Sequence, residues 1–253
     1  MYAPERYRSI VERVVGFGRA SVNDLADDLD VTPETIRRDL SYLEKQGLVR
    51  RVHGGAVPVG RVAIEPTVDS RNSSFVSEKS DIARAALAEI PKEGAVIVDA
   101  GTTTARLLSL IPASYDITVI TNSVEHALTT VNKTNINTLL IGGRVRSRTL
   151  ACVDQWAVDA LSGLYADVAI LGTNGISLER GLTTPDPAEA AVKRAMLNSA
   201  RRKVVLADHS KFGDDHFANF GSIQEVDVVI TDKKTDVEFI KQLGSVDIPV
   251  VIA

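Results

Sequence analysis

Cysteine is almost absent from this chain, since Cys152 is the one cysteine among 253 residues. A single cysteine excludes an internal disulfide and fits a reducing cytoplasm, and we interpret Cys152 as a small, semi-buried residue. No apolar run approaches the ~20 residues of a membrane-spanning helix, and Glu5, Arg6 and Arg8 come too early for a signal peptide. We therefore expect a cytoplasmic protein that does not contact a membrane.

The sequence also lacks the short motifs of several enzyme classes. It has neither the Gly-x-x-x-x-Gly-Lys-Ser/Thr loop of nucleotide-binding proteins nor the Gly-x-Ser-x-Gly of serine hydrolases. The stretch 16–21 imitates a dinucleotide fingerprint, but it follows a helical pattern and lacks the last glycine. The histidines are not spaced as metal ligands. We expect no metal site, no cofactor and no catalytic residue.

The charge of the chain is uneven along its length. The net charge is −4, which is unusual for a protein that binds nucleic acid. Residues 1–34 hold four Arg and seven Asp or Glu, whereas residues 35–61 hold Lys45 and five Arg against Asp39 and Glu44. The local charges are therefore −3 and +4. A local positive potential matters more than the total charge, so residues 35–61 are the candidate for contact with DNA.

Most of a predicted helix over residues 33–44 lies in this basic stretch. Thr32 is a suitable N-cap and Pro33 suits the first helical position. Three apolar residues then recur on one face, at Ile36, Leu40 and Leu43, and Gly47 is the predicted stop. The opposite face carries Thr35, Arg37, Arg38 and Ser41, and a solvated amphipathic helix is the alternative for this stretch taken alone.

The flanking sequence favours a DNA-binding helix. Ser21 is a suitable cap for a helix over 22–29, and Ala26, Asp30 and Ile36 have the spacing of a helix-turn-helix, with Asp30 at the turn. Residues 48–57 predict a basic hairpin around Gly54 and Gly55, which is a wing. With a first helix over 4–15, these elements predict a winged helix-turn-helix domain at residues 1–57.

In such a domain the start of the recognition helix reads bases and arginines contact phosphates or guanine. The candidate DNA-binding residues are Thr32, Glu34, Thr35, Arg37, Arg38, Arg50, Arg51 and His53.

The rest of the chain predicts a second domain of another class. Residues 58–76 are interpreted as a linker that is ordered only in part, because Pro58, Gly60 and Pro66 interrupt it. From residue 77 to 253, after a helix over 77–90, short apolar runs recur, each followed by a predicted helix. The runs are 95–99, 117–121, 138–141, 167–171, 203–207, 226–231 and 249–252. This alternation predicts an α/β domain with a mainly parallel sheet.

Ligands of such sheets bind outside the carboxyl ends of the strands. The loops at these ends are rich in Gly, Thr, Ser and Asn, which offer N–H groups and hydroxyls for an anion. An ordinary βα turn explains any one loop, but several around one rim favour a phosphorylated, polar ligand. The candidate effector-binding residues are Asp99, Gly101, Thr102, Thr103, Thr104, Thr121, Asn122, Gly143, Arg144, Asn174, Thr184, Glu189, Lys193 and Lys211.

Two further residues have less specific interpretations. His209 lies between Asp208 and Ser210, but catalytic triads converge in space rather than in sequence. We interpret His209 as a loop residue near the ligand. Trp156 has apolar neighbours and is predicted to lie in the core.

Several motifs of the sequence, taken together, resemble those of one known protein family. Residues 35–40 (TIRRDL) and 52–56 (VHGGA) closely resemble the winged-helix signature of DeoR-family transcriptional regulators. Residues 99–103 (DAGTT), 121–122 (TN), 142–143 (GG), 172–176 (GTNGI) and 207–212 (ADHSKF) resemble the effector domain of that family. The resemblance implies a homodimeric or homotetrameric repressor of sugar-catabolism genes that binds double-stranded operator DNA. It also implies control by a phosphorylated sugar, with a fructose phosphate as the first candidate.

The effector domain of that family is similar to ribose-5-phosphate isomerase. In that enzyme acids follow the strand that corresponds to residues 169–172, whereas this chain has Leu171 and Asn174 there, so the proton carriers of an isomerase are missing. Glu189 and Lys193 remain. The alternatives are a sugar-phosphate isomerase with a fused DNA-binding domain, and a DNA-binding module without an effector.

Overall fold

The computed structural model describes residues 2–46, 48–58 and 67–253. The predicted helix stop at Gly47 and residues 59–66 of the predicted linker lie outside the described residues. The chain forms two compact units, one up to Arg71 and one from Asn72 to Ala253. The division falls within the stretch 58–76 that the sequence predicts as a linker.

The first unit holds three helices and a small sheet. Its elements are α1 (Ala3–Phe17), β1 (Ala20–Ser21), α2 (Val22–Leu29), α3 (Pro33–Lys45), β2 (Val49–Val52) and β3 (Gly55–Pro58), and α4 (Val68–Asn72) spans the boundary between the units. The three strands form one sheet in the order β1-β3-β2. This is a winged helix-turn-helix, and the predicted helices and hairpin are confirmed.

Local chemistry explains where these helices begin and turn. The Ser21 hydroxyl accepts the backbone N–H of Asp24, and the Thr32 hydroxyl accepts that of Thr35, so both predicted N-caps are present. Asp30 has φ 51° and closes the helix-turn-helix in the left-handed region, which Asp tolerates better than most residues. The predicted stripe Ile36, Leu40 and Leu43 is buried.

The wing turn depends on two adjacent glycines for different reasons. Gly54 has φ 76°, a conformation that L side chains rarely adopt. Gly55 lies directly against the backbone carbonyl of Ala20, where a Cβ atom has no room. This close approach lets β3 pair with both β1 and β2.

The second unit is larger and alternates strands with helices. Its strands are β4 (Glu93–Val98), β5 (Asp116–Thr121), β6 (Ile136–Leu140), β7 (Arg144–Val145), β8 (Cys152–Val153), β9 (Ala166–Gly172), β10 (Gly175–Ser177), β11 (Gly181–Thr184), β12 (Ala200–Leu206), β13 (Ala218–Gly221), β14 (Val228–Thr231) and β15 (Val250–Ile252). Its helices are α5 (Val76–Ala86), α6 (Thr102–Leu110), α7 (Val124–Thr130), α8 (Gln155–Ser162), α9 (Pro187–Asn198) and α10 (Val237–Ser245). Short 3₁₀ turns lie at Leu87–Glu89, His209–Lys211 and Ile223–Glu225.

Seven strands form one sheet in the order β15-β14-β12-β9-β4-β5-β6. All six neighbouring pairs are parallel, so the predicted α/β class is confirmed. Alternate residues of β4 serve opposite faces, because Ile97 packs in one core cluster and Val96 and Val98 in the other. The chain builds β4, β5 and β6 toward one edge and then returns to place β9 beside β4. The gap between β4 and β9 is therefore the topological switch point.

Not every strand is followed by a helix as the sequence predicted. After β6 the chain forms the antiparallel pair β7 and β8. After β12 it forms a 3₁₀ turn and then β13, which joins β10 and β11 in a small antiparallel sheet. Strands of two to four residues are too short to show a period of two in the sequence, so the pattern did not reveal them.

The prediction for Trp156 is wrong. The side chain is 80% exposed, whereas Ala157 and Leu161 of the same helix are buried. Those two residues are four apart and face the core together, and Trp156 lies about 100° away from Ala157 around the helix. The rotation of α8 about its own axis decides where the Trp156 side chain points, and the apolar character of the neighbouring residues does not. Cys152, interpreted as semi-buried, is fully buried, and this burial raises the pKa of its thiol.

Candidate functional site

The residues predicted to bind DNA lie on α3 and on the wing. Exposed positions are Thr32, Glu34, Arg37, Arg38, Arg50, Arg51 and His53, and Thr35 is partly exposed. The Thr32 and Thr35 hydroxyls are 2.9 Å apart at the start of α3. Arg37 contacts Glu34 at 3.1 Å in an exposed ion pair, which contributes little to stability. The basic side chains are thus available on the surface of the helix and hairpin.

Arg51 joins the wing to the recognition helix. Its guanidinium donates to the Ser41 hydroxyl at 2.8 Å, and its backbone N–H donates to the Glu44 carboxylate at 2.8 Å. These contacts fix the hairpin against α3, so the two basic elements form one surface.

An ion pair that the sequence did not indicate lies on the inward face of α3, opposite this surface. Asp39 points inward from α3 and accepts from Arg6 of α1, with Nε at 2.5 Å and Nη2 at 3.1 Å. The bond to Asp39 raises the pKa of Arg6, although partial burial acts against it. The pair fixes α1 to α3, so Asp39 and Arg6 support the orientation of the recognition helix.

In the second unit, Asp99 lies at the switch point, directly after β4. Its carboxylate accepts the backbone N–H of Gly172, the last residue of β9, at 3.1 Å. Lys193 of α9 forms a buried ion pair with Asp99 and donates to the Gly172 carbonyl at 2.9 Å. Burial raises the pKa of Asp99, and the Lys193 charge acts in the opposite direction. Three elements, β4, β9 and α9, therefore meet at this point, and two of the three residues, Asp99 and Lys193, were predicted.

A hydrogen-bonded network holds the loop at the start of α6. The Asn122 amide accepts from the backbone N–H of Ala100 and donates to the Cys152 carbonyl, both at 3.1 Å. Thr104 is buried and donates to backbone carbonyls of its own loop, Asp99 at 2.7 Å and Gly101 at 2.9 Å. Asn122 and Thr104 thus shape the loop from inside.

His126 belongs to the same network, and the sequence did not indicate it. Its Nε2 lies 3.1 Å from the Gly101 carbonyl. A carbonyl only accepts, so Nε2 carries the proton and Nδ1 accepts from the Thr121 hydroxyl at 3.4 Å. Burial lowers the pKa of His126 to about 4, although the bond to Gly101 acts against this. The neutral ring therefore fixes Gly101, the N-cap of α6.

Thr102 and Thr103 begin α6 directly after this cap. Thr102 is buried and Thr103 is partly exposed. The first N–H groups of a helix have no partner inside the helix, and with the helix dipole they suit an anion. Both threonines follow Asp99 closely in the sequence and lie at the same edge of the sheet.

Glu189 is the centre of a second polar group. Its carboxylate accepts from Arg146 and Thr149, both at 2.5 Å, and from Thr184 at 3.4 Å. Thr184 in turn donates to the Asn174 amide at 3.1 Å. Three predicted residues, Asn174, Thr184 and Glu189, are therefore brought together.

Arg146 is the cation of this group, and the sequence pointed to Arg144 instead. Arg146 also contacts Asp186 at 3.3 Å. Arg144 is exposed and pairs with Asp154 at 2.7 Å. Gly143, just before it, has φ 146° and lies against the backbone of Val153. Arg144 lies within β7, whereas Arg146 follows its end, where its backbone N–H donates to the Ala151 carbonyl. The sequence carries no local signal for which arginine contacts Glu189.

The loop after β12 forms a third polar group around Asp208. The Asp208 carboxylate accepts the N–H of Ser210 at 3.1 Å and its hydroxyl at 2.5 Å. Although Asp208 is fully buried, which acts to raise its pKa, the charges of Lys211 and Lys79 lower it. Lys79 was not predicted. Its signal was its position on the apolar stripe of α5, with Ile82, Ala83 and Ala86.

His209 lies beside this group, in the segment that follows β12. Its Nδ1 contacts the Asp232 carboxylate at 3.0 Å, and its backbone N–H donates to the same carboxylate at 2.7 Å. Asp232 follows β14, so the loops after two neighbouring strands are joined here. Among the described residues, no group of three or more His, Cys, Asp or Glu side chains is arranged to hold a metal ion.

Two family models match the chain. The DeoR-like helix-turn-helix domain matches residues 6–61, and the DeoR C terminal sensor domain matches residues 74–233. The chain belongs to the DeoR family. The HTH-type transcriptional regulator GlpR of Haloferax volcanii is 38% identical over 251 residues, which are 99% of this chain and 98% of the relative. This DeoR-family member is a transcriptional regulator with a helix-turn-helix domain, not an enzyme.

Two bacterial relatives are similar over almost their whole length. FruR of Bacillus subtilis, an uncharacterized HTH-type transcriptional regulator by name, is 35% identical over 232 residues, 92% of each chain. The glycerol-3-phosphate regulon repressor of Escherichia coli is 33% identical over 243 residues, 96% of each chain.

Solved structures show a more distant likeness. Ribose-5-phosphate isomerase A of Methanocaldococcus jannaschii is similar over 55% of each chain, with a TM-score of 0.40 and 16% identity. At this similarity it carries no inference about activity. In the described part of the DeoR-family chain, no helix is both long and apolar enough to cross a membrane.

Proposed function

We propose that this DeoR-family regulator is a cytoplasmic repressor of sugar uptake or catabolism genes and that a phosphorylated sugar controls its binding to operator DNA. The observation that carries the proposal is the switch point, where Asp99, Gly172 and Lys193 meet at the carboxyl ends of β4 and β9. Open α/β sheets bind their ligands at this place. The names of two relatives, a glycerol-3-phosphate regulon repressor and FruR, support a phosphorylated polyol or sugar.

The polar groups divide the proposed effector site by chemistry. Lys211, Ser210 and the start of α6 offer positive charge and N–H or O–H donors, which suit a phosphate. Asp99, Asn174, Thr184 and Glu189 offer oxygen acceptors and a hydroxyl, which suit sugar hydroxyl groups. Thr102 and Thr103 form the start of α6. The other predicted residues shape or flank these loops: Gly101, Thr104, Thr121, Asn122, Gly143, Arg144 and Lys193.

The DNA-binding unit is proposed to place the start of α3 in the major groove with the wing against the backbone. Thr32, Glu34 and Thr35 are the proposed base-reading residues, and Arg37, Arg38, Arg50, Arg51 and His53 contact phosphates or guanine. One winged helix makes too few contacts for operator affinity, so we propose a homodimer or homotetramer on a repeated or palindromic site. Residues 1–57, 58–76 and 77–253 serve as the DNA-binding domain, linker and effector domain.

A thermal-shift panel tests the effector part of this proposal. Fructose 1-phosphate, fructose 6-phosphate and glycerol 3-phosphate are compared with fructose and glycerol. A ligand at 100 times its Kd stabilises the folded state by about 2.7 kcal/mol, so one phosphorylated compound raises the melting temperature and its unphosphorylated partner does not. A flat panel with DNA binding intact contradicts the effector role and favours a DNA-binding module without an effector.

A further inference from the structure

We infer that β6 is a dimer interface, where a second copy of this chain adds its own β6 in the antiparallel direction. The inference rests on the homo-oligomer of the proposed function and extends it, because it names the surface and the register of the contact. We call residues 128–140, which hold the end of α7 and all of β6, the open edge.

β6 has backbone groups that are free to pair with another strand. It is the last strand of the seven-stranded sheet, and in the described part of the chain it pairs with β5 alone. The Ile141 N–H donates to the Thr121 carbonyl of β5 at 2.8 Å. Alternate residues of a strand bond to the same neighbour, so the backbone N–H and C=O groups of Thr138 and Leu140 point away from β5.

The side chains of β6 are apolar on both faces of the sheet. The Thr138 hydroxyl donates to that of Thr130 in α7 at 2.9 Å. Leu140, two residues further on, therefore shares the α7 face, and Leu139 lies on the opposite face. Leu139 is 42% and Leu140 43% exposed. An exposed edge strand with apolar side chains is a template for pairing with another chain.

α7 adds two exposed apolar residues beside β6. His126 contacts the Gly101 carbonyl before α6, and Thr130 contacts β6. At ~100° per residue, Thr130 lies about 40° around the helix from His126, and Val131 about 140° in the same direction. Val131 and its neighbour Leu128 are therefore on the side of α7 away from α6. They are 60% and 68% exposed.

The open edge carries almost no charge. Lys133 is the one charged residue from residue 127 to 143. Its ammonium donates to the Leu108 carbonyl at 2.8 Å, at the C-terminal end of α6, where a cation is favourable. An apolar surface without free charge meets an identical surface without repulsion, and a two-fold interface uses the same patch on both copies. These properties favour a second copy over a partner of opposite charge.

The opposite edge of the sheet has the protection that β6 lacks. Its strand β15 is three residues long, and the neighbouring helix α10 carries exposed Glu238 and Lys241. Short edge strands and charged side chains are the devices by which natural sheets avoid pairing with other chains. Val251 of β15 is 40% exposed, almost as much as Leu139, so it provides a control position.

The outward groups of β6 indicate the register of the pair. The Ile136 N–H already donates to the Lys133 carbonyl, so Thr138 and Leu140 are the residues left to pair. Thr138 of each copy faces Leu140 of the other, and each of these two pairs exchanges two N–H···O bonds. The two-fold axis then passes at Leu139, which faces its own copy with the Cα atoms about 4.5 Å apart. The two seven-stranded sheets become one.

Sedimentation velocity of the full-length protein tests this interface. Leu139→Lys and Leu139→Glu each place like charges opposite each other at the axis, so the Kd of self-association is expected to rise about tenfold or more. A dimer then becomes a monomer, and a tetramer a dimer. An equal mixture of the two variants is expected to restore the assembly, because opposite charges then face each other. Val251→Lys is the control and leaves the assembly unchanged, and circular dichroism checks that every variant is folded.

Four results overturn the inference. If both Leu139 variants sediment like the unmodified protein, or if Val251→Lys alone dissociates the assembly, the interface lies elsewhere and the proposed homo-oligomer stands. If the mixture stays dissociated, Leu139 does not face its own copy and the register is wrong. If the unmodified protein is a monomer both alone and on operator DNA, the proposed homo-oligomer fails and this inference fails with it.

Discussion

The ammonium group of Lys193 contacts the carboxylate of Asp99, although 94 residues separate them in the chain. The pair lies where β4 and β9 meet, and both side chains are almost completely buried. It joins α9 to the switch point of the sheet. The proposed effector site therefore lies beside a buried ion pair.

Breaking this pair is expected to destabilise the sensor unit strongly. Lys193→Met leaves the Asp99 carboxylate buried without its partner, which costs about 3–5 kcal/mol. Urea unfolding followed by circular dichroism measures the change. The double variant Asp99→Asn with Lys193→Met is expected to lose less than the sum of the single variants.

Arg84→Ala is the matched control, because Arg84 pairs with Asp81 at 2.7 Å and both side chains are exposed to solvent. Exposed pairs contribute about 0–1 kcal/mol. Equal losses for Lys193→Met and Arg84→Ala would show that the buried pair has no special role.

The exposed arginines of the first unit are expected to act on DNA binding alone. Arg38→Ala and Arg50→Ala each remove a proposed phosphate or guanine contact, so operator affinity falls and the salt dependence of binding decreases by about one counterion for a phosphate contact. Stability changes by no more than about 0.5 kcal/mol. Fluorescence anisotropy at several salt concentrations measures both effects. Arg201→Ala, an exposed arginine of the sensor unit, is the control, and an equal loss there would contradict a specific surface.

Acidification is expected to destabilise the protein through His126. Burial lowers its pKa to about 4 from 6.5, so the unfolded chain binds this proton more tightly than the folded protein. The contribution to stability is complete above pH 6.5 and is lost as the pH falls toward 4, by about 3 kcal/mol. Denaturant unfolding of the unmodified protein and of His126→Gln between pH 7 and pH 4 separates this effect from that of the carboxylates. If the two pH profiles run parallel, the buried neutral ring is not the cause.

Two glycines of the first unit are expected to respond oppositely to alanine. Gly55→Ala places a Cβ atom against the Ala20 carbonyl and destabilises the winged helix by about 1–3 kcal/mol. Gly16 lies in α1 with open space around its Cβ position, so Gly16→Ala leaves stability unchanged or raises it by up to about 1 kcal/mol. Thermal unfolding compares the two variants, and a loss of similar size for both would remove the steric explanation.

The sequence was informative wherever structure depends on neighbouring residues. The recognition helix follows from Thr32, Pro33 and the stripe beginning at Ile36, because capping and helical period are local. The parallel sheet follows from short apolar runs at regular spacing, and the Asp99, Asn174 and Lys211 loops follow from the rule for strand ends. These predictions placed the elements correctly and brought most of the predicted polar residues to one edge of the sheet.

Pairings across the fold were not predictable from one sequence. Arg6 with Asp39 and Arg146 with Glu189 join residues that are distant along the chain. No local period signals them, and only the packing of helices on the sheet brings them together. Trp156 shows the reverse case, because its local context indicated burial and the rotation of α8 exposes it.

The equilibrium affinity for operator DNA, measured with and without a sugar phosphate, decides whether such a ligand controls this regulator. A DNA duplex that the protein selects from a random pool is titrated with the protein, and binding is followed by fluorescence anisotropy. The titration is done without added ligand, with fructose 1-phosphate or glycerol 3-phosphate, and with fructose or glycerol. We expect one phosphorylated compound to change the Kd for DNA by at least about fivefold, the lower end of typical allosteric coupling, and its unphosphorylated partner to leave it unchanged. An operator Kd that is the same with every compound would contradict control by a phosphorylated sugar.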